Sequence, residues 1–357
     1  MTQKISVKAF PSPLKKFSFS AGFWKRAEEA NVKETIPAVL KFLKESGRIE
    51  ALKLEWKEGM PNKPHIFWDS DDAKWIEGAA NSLIHHPDKK LEAEVEAICQ
   101  LFAKAQRPDG YLNSYFNSKG ICESGLNVGN FGEAGRRFEN LRENHEIYCA
   151  GHLFEAAVAL YEATGSRSLL DPAMKYAKFL RKTFGSEPGK HRGCCGHPEA
   201  ELALMRLYHA TGDKDCLALA QHFVDVRGTK PNVLPPFPGS HTSTWAESYF
   251  QNDKPAREQS EANGHAVRAC YFYSGMADLA AETGDEALIK ACRKIWDSLS
   301  LRRMYVTGGI GSGACLEEFT FDYDLPNEES YCETCASIAL MLFAQRLLHI
   351  DLDAKYA

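Results

Sequence analysis

No stretch of this chain reaches the roughly eighteen apolar residues that a bilayer-spanning helix needs,. The opening text, MTQKISVKAFPSPLKKFSFS, contains no apolar segment of signal-peptide length,. Charge of one sign is also missing. Lysine and arginine number 43 against 48 aspartates and glutamates, for a net −5. That balance gives no bulk attraction to nucleic acid or anionic lipid. Three chemistry-bearing motifs are absent as well: the Walker phosphate loop, the G-x-G-x-x-G fingerprint after a strand, and the G-x-S-x-G nucleophile elbow. The expectation is a soluble, cytoplasmic protein with no nucleic-acid or membrane partner.

Long alternating runs of strand type are scarce, whereas helical periodicity is abundant. Segments such as KKLEAEVEAICQLFAKAQ, GHLFEAAVALYEATG and DPAMKYAKFLRKTFG carry apolar residues at intervals of three and four,. Proline and glycine fall between these segments. A degenerate repeat marks their ends: YEATG closes at Gly165, YHATGD passes Gly212, and AETGD passes Gly284. Glycine there suits a left-handed C-cap, and the following Ser or Asp can start the next helix. Helical hairpins in series stack as a solenoid or close into a toroid. The uneven spacing and long loops favour an all-α (α/α) barrel, built as one domain over 1–357. The run from Ala336 to Leu348 is apolar almost all round, as an inner helix covered on both sides would be.

The 357 residues include eleven cysteines, an odd and scattered set. Reduced thiols are expected, with Cys99, Cys149, Cys216, Cys270 and Cys292 as small buried hydrophobes. Two places differ: the Cys194-Cys195 pair beside His197, and Y-C-E-T-C-A-S at the head of the last apolar helix. There Thr334 is a candidate N-cap, which makes Cys335 the first helical residue. The helix dipole would then lower the Cys335 pKa. Glu333 precedes the cap and can turn toward the same point. Two readings stand side by side: a capping acid followed by a core cysteine, or two ligands of one Zn²⁺, which usually takes four.

Four loops combine aromatic, acidic and glycine residues as sugar pockets do: NKPHIFWDSDDAKWIEGA, QRPDGYLNSYF, the stretch from Pro231 to Phe250, and MYVTGGIGSGACLEEFTFDYDLP,. The last holds Glu317 among Glu318, Asp322 and Asp324, with Glu328 and Glu329 just beyond. A carboxyl among aromatic side chains can have a raised pKa and act as a general acid. The bland alternative is a solvated acidic loop. Three histidines, His145, His197 and His265, each stand before an apolar helix and are placed to project into the mouth of a barrel, unless each is structural.

Taken together, FWDSDDAKWIEGA, QRPDGYLNSYF, NHEIYCAGHLFEAAVALYEATG, GHPEAELALMRLYHATGD, GHAVRACYFYSGMADLA and YVTGGIGSGACLEEFTFDYDLPNEESYCETCASIALMLF resemble the glycoside hydrolase family 127 β-L-arabinofuranosidases. The resemblance runs from Phe67 to Phe343. It implies an (α/α)6 barrel followed by β-sandwich segments, and hydrolysis of β-L-arabinofuranosides with retention. It also implies a zinc-bound cysteine thiolate as nucleophile and a glutamate as acid/base. By motif, Glu317 matches that glutamate, Glu333 and Cys335 match two zinc ligands, and His145, His197 and His265 match histidines around the sugar. The family's downstream Cys-Cys pair and β segments have no counterpart before Ala357. The barrel is therefore expected to be C-terminally incomplete, with half a zinc site, weak metal binding and little turnover. Its exposed apolar faces would allow an oligomer. Cys194 or Cys195 bringing a thiol to the pocket beside His197 is a separate hypothesis. The competing functions are a zinc-independent (α/α)-barrel sugar enzyme, of unsaturated-uronide hydrolase or epimerase type, and a non-catalytic carbohydrate-binding remnant.

Overall fold

The computed structural model describes residues 7–9, 12–124, 137–238 and 242–357. Its helices, in chain order, are α1 (Gly22–Ala30), α2 (Ile36–Glu45), α3 (Arg48–Ala51), α4 (Trp68–Leu83), α5 (Lys89–Ala105), α6 (Ser114–Asn117) and α7 (Lys119–Ser124). They continue as α8 (Glu146–Thr164), α9 (Leu170–Thr183), α10 (Ala200–Thr211), α11 (Lys214–Val226), α12 (Ala266–Thr283), α13 (Glu286–Arg302) and α14 (Thr334–Asp351). Two short strands, β1 (Gly264–His265) and β2 (Glu318–Phe319), pair antiparallel with His265 opposite Glu318.

Helices α4, α8, α10, α12 and α14 lie side by side in that order, and α5, α9, α11 and α13 cover them from outside. This is the toroid of helical hairpins expected from the repeat. Its five inner helices form an arc, and among the described residues no extensive packing joins α14 to α4. The division into layers follows from composition. Helix α8 is buried almost all round from Ile147 to Leu160, whereas α5 buries only the stripe Val95, Ile98, Cys99, Phe102 and Ala105,.

Gly165, Gly212 and Gly284 all adopt the left-handed conformation at helix C-caps,. Asp213 and Asp285 then cap α11 and α13 by accepting backbone N–H bonds. Ser166 departs from this pattern. Its hydroxyl bonds to Glu96 and Ser168, and α9 begins only at Leu170. Helix α14 also differs from expectation. Ala336, Leu340, Phe343 and Leu347 are buried, but Ile338 and Met341 are 44% and 63% exposed, so the chain covers only one side of it. Cys99, Cys149, Cys216, Cys270 and Cys292 are buried free thiols. Among the described residues no helix is long and apolar enough to cross a membrane.

The loops at one end of the arc are pinned from below by Arg227, which is fully buried. It donates to Phe250 O at 2.8 Å, to Cys195 O at 2.6 Å and to the Glu201 carboxylate at 3.0 Å. Two segments distant in sequence, 195–201 and the one holding Phe250, thus share one guanidinium. Arg227→Met should leave Glu201 as an unpaired buried charge and cost about 3–5 kcal/mol. The urea midpoint measures this, and a shift near zero would contradict the pinning role.

Candidate active site

The N-terminal ends of the inner helices open on one cavity of about 780 Å³. His145 is the N-cap residue of α8, His265 that of α12 and Glu333 that of α14, while His197 stands just before α10. All six residues singled out in the sequence line this cavity: His145, His197, His265, Glu317, Glu333 and Cys335. The rings form a belt along it. Phe67 lies 4.2 Å from His145, His145 lies 5.5 Å from His197, and His197 lies 5.6 Å from His265, all between centroids.

Hydrogen bonds fix how these imidazoles present themselves. His145 Nδ1 lies 2.5 Å from Glu143 O, and His197 Nδ1 lies 2.9 Å from Pro198 O. A carbonyl only accepts, so each Nδ1 carries the proton and each Nε2 is an acceptor. Burial, followed by Arg268 nearby, pushes both well below the usual histidine range and keeps them neutral,. His265 has the opposite tautomer. Its Nδ1 accepts from Arg268 N–H, and its Nε2–H donates to Glu317 Oε2 at 2.8 Å.

The β1–β2 pair brings Glu317 to that donor. Ala266 N–H bonds to Glu317 O at 3.0 Å. Gly264 takes φ +68° against the backbone of Ser248 and Tyr249, where a Cβ would lie 2.2 Å from Ser248 O. Glu317 itself has φ 57°. Its second oxygen accepts from Tyr331 OH at 2.7 Å. The expected raised pKa is therefore overturned. The hydrogen bond from His265 comes first, burial opposes it, and Tyr331 adds to it, so Glu317 is held down at about 2. Of the acidic residues in its loop, only Glu317 lines the cavity; Asp322 pairs instead with Arg302 and Arg303.

Ligand atoms of His265, Glu317 and Glu333 all lie within 4.8 Å of one another. Burial, then the Glu317 charge, raises the Glu333 pKa. The N-cap of α14 is Glu333, one residue earlier than expected, and Thr334 is the first helical residue. The cap backbone is extended (φ −63°, ψ 153°), which lets Glu333 turn toward the cavity as anticipated. Cys335 hydrogen-bonds Glu333, but its thiol is pushed up, first by burial and then by the Glu333 charge. The helix end does not overcome those two effects.

Cys194 and Cys195 lie apart from this chemistry. Both are buried, neither lines the cavity, and burial pushes their thiols up to about 11 and about 12. The loop QRPDGYLNSYF also goes elsewhere: Tyr111, Tyr115 and Phe116 are core, and Tyr111 OH bonds to Glu146. Residues from the other three loops do line the cavity. Sequence reasoning missed Tyr148, Arg268, Lys74 and Tyr331. Tyr148 and Arg268 stand three residues after His145 and His265, so the helical period alone would put each on its histidine's face. Nothing local marks Tyr331, which meets Glu317 through a loop.

A sequence profile for the β-L-arabinofuranosidase, GH127 catalytic domain matches residues 18–357. The chain belongs to glycoside hydrolase family 127. It is 42% identical over 301 residues to a non-reducing end β-L-arabinofuranosidase of Bifidobacterium longum subsp. longum, covering 82% of this chain and 44% of that protein. Among solved structures, a family 127 β-L-arabinofuranosidase from Geobacillus stearothermophilus T6 superposes with TM-score 0.85 at 41% identity. That match covers 95% of this chain and 54% of the other. A second family 127 β-arabinofuranosidase gives TM-score 0.88 at 38% identity, over 99% of this chain and 53% of the other. The chain thus spans about half the length of the relatives it matches.

In this family 127 chain, Glu317 is a depressed carboxylate. Its contribution to stability is present above the ordinary value of 4.5 and is lost as pH falls toward about 2,. Tyr331→Phe removes one donor and should raise the Glu317 pKa toward the ordinary value. Carboxyl-carbon NMR titration reads this directly, and an unchanged midpoint would contradict the assigned hydrogen bond.

Proposed function

We propose that this cavity binds a β-L-arabinofuranoside and that the chain carries the acid/base half of its hydrolysis with retention. The observation that carries the reading is Glu317, fixed by two donors at one end of a row of neutral histidines. His145 and His197 offer Nε2 as acceptors for sugar hydroxyls, and the faces of Phe67, Tyr148 and Trp245 give apolar cover. Glu317 is the proton carrier. In the free site it is ionised, so it must take up a proton before it can protonate the leaving oxygen. A sugar that excludes water and displaces Tyr331 removes one of the two bonds that favour the charged form. The same carboxylate then accepts a proton from water. No described residue is assigned the nucleophile. A cytoplasmic setting belongs to this reading and is supported by the free state of the described cysteines,.

Zinc also belongs to the proposal. Glu333 and Cys335 would hold it: a carboxylate and a sulfur that interact with each other, each pushed toward its protonated form in the absence of a cation,. Bound zinc would neutralise that charge and keep the sulfur as a thiolate. Two donors would hold it weakly, since zinc usually takes four. Elemental analysis should show zinc lost in Glu333→Ala and Cys335→Ser. Because neither thiol lines the cavity, zinc should be unchanged when Cys194 and Cys195 are both replaced by Ala; the opposite pattern would sink the assignment.

The function is tested with sugars. Methyl β-L-arabinofuranoside should bind by calorimetry and its α-anomer should not. The little turnover of p-nitrophenyl β-L-arabinofuranoside expected of this chain should fall further in Glu317→Gln, by about 10²–10⁴-fold. Equal binding of both anomers, or turnover indifferent to Glu317, would contradict the reading.

A further inference from the structure

The heads of α12 and α14 and the residue before β2 meet at one end of the cavity, and three metal-ligating side chains converge there. His265 and Glu333 are the N-cap residues of the two helices, and Glu317 adjoins the β1–β2 ladder. His265 Nε2 lies 2.8 Å from Glu317 Oε2. One ligand atom from each of the three lies within 4.8 Å of the other two. Among the described residues no other trio of His, Cys, Asp and Glu side chains comes as close. Atoms that share one ion at about 2.0–2.2 Å are at most roughly 4.4 Å apart. Small side-chain shifts would therefore close the trio on an ion.

The charge at this end favours a cation. Glu317 and Glu333 form no hydrogen bond to each other; Glu317 is met by His265 and Tyr331 instead. Arg268 lies within electrostatic reach of Glu317, and Lys74 within reach of Glu333. Arg268 donates to Gly196 O, however, and Lys74 to Tyr148 OH, and among the described residues neither forms an ion pair with these carboxylates. The Glu317 side chain is 41% exposed, so a hydrated ion can reach it, with His265 buried behind it. The donor set also selects the ion. Two carboxylates suit Mn²⁺, and the imidazole disfavours Mg²⁺ and Ca²⁺, which take oxygen ligands. Glu333 with Cys335 is a softer pair that suits zinc.

We propose that His265, Glu317 and Glu333 form a divalent-cation site that takes Mn²⁺ through two oxygens and one nitrogen. To ligate, the His265 ring moves its proton from Nε2 to Nδ1 and stays neutral. Nε2 then presents a lone pair, and Glu317 exchanges a hydrogen bond for a metal–oxygen bond. At Nδ1 only the long 3.4 Å contact from Arg268 N–H is given up. Water fills the remaining positions on the ion. This site competes for Glu333 with the zinc assigned to Glu333 and Cys335. An ion held there occupies the carboxylate that the proposed function uses for proton transfer, so Mn²⁺ opposes that chemistry. The site itself rests on three side chains and not on the identity of the sugar.

The test titrates Mn²⁺ into the zinc-free full chain and follows the electron paramagnetic resonance of the free ion. One equivalent should bind, and spin-echo modulation should show one ligating nitrogen, that of His265. Loss of an outer-shell partner alone typically costs roughly 10–100-fold in metal affinity, so removing a ligand in Glu317→Gln or Glu333→Gln should cost at least about tenfold. Both changes keep the size of the side chain. Cys335→Ser should leave Mn²⁺ binding unchanged. Failure to bind Mn²⁺, binding without a nitrogen signal, or binding indifferent to Glu317→Gln would each overturn the site. A loss in Cys335→Ser equal to that in Glu333→Gln would put the ion on the Glu333–Cys335 pair; the Mn²⁺ site would then fall while the zinc assignment stood.

Discussion

The contact between His265 and Glu317 is the interaction on which the rest of the site depends. The two residues are 52 positions apart and meet because a two-residue ladder ties the head of α12 to the loop before α14. Without that ladder Glu317 would be one acidic side chain among several on a surface loop. With it, the carboxylate has a defined position, a defined donor on each oxygen and a defined charge. The imidazole's own tautomer follows from the same contact, because Nε2 must carry the proton that Glu317 accepts.

The cavity sorts charge along its length. Buried neutral histidines occupy its middle, where a sugar would be enclosed. Two carboxylates face each other at one end, and their environments pull them apart: Glu317 downward, Glu333 upward. Such separation is how one site gives two carboxylates different proton affinities. An enclosed row of uncharged acceptors beside that end is suited to a polar, uncharged ring.

Much of this was legible in the sequence, and the reasons are local. The left-handed C-caps at Gly165, Gly212 and Gly284 followed from residue type, and the inner helices from their all-round apolar character. His145, His197 and His265 were found because each precedes such a helix. The electrostatic expectations failed for Glu317 and Cys335, because the deciding partners come from elsewhere in the chain. Tyr331 and His265 lower the Glu317 pKa; burial and Glu333 raise that of Cys335. The N-cap of α14 moved by one residue because Glu333, not Thr334, keeps the extended backbone. The Cys194-Cys195 pair drew attention by its rarity, but its place is in the core beneath Arg227. Register along a helix predicts neighbours one turn away; it does not reveal which loop will fold over a site.

In the proposed reading, one sugar ring lies against His145, His197 and His265 with its anomeric oxygen toward Glu317. A crystal structure of the Glu317→Gln protein soaked with methyl β-L-arabinofuranoside tests it most directly. The expected result is the ring on that histidine row, hydroxyls on Nε2 of His145 and His197, and the anomeric oxygen facing residue 317. A sugar bound elsewhere, or bound there with its anomeric oxygen turned away from residue 317, would contradict it.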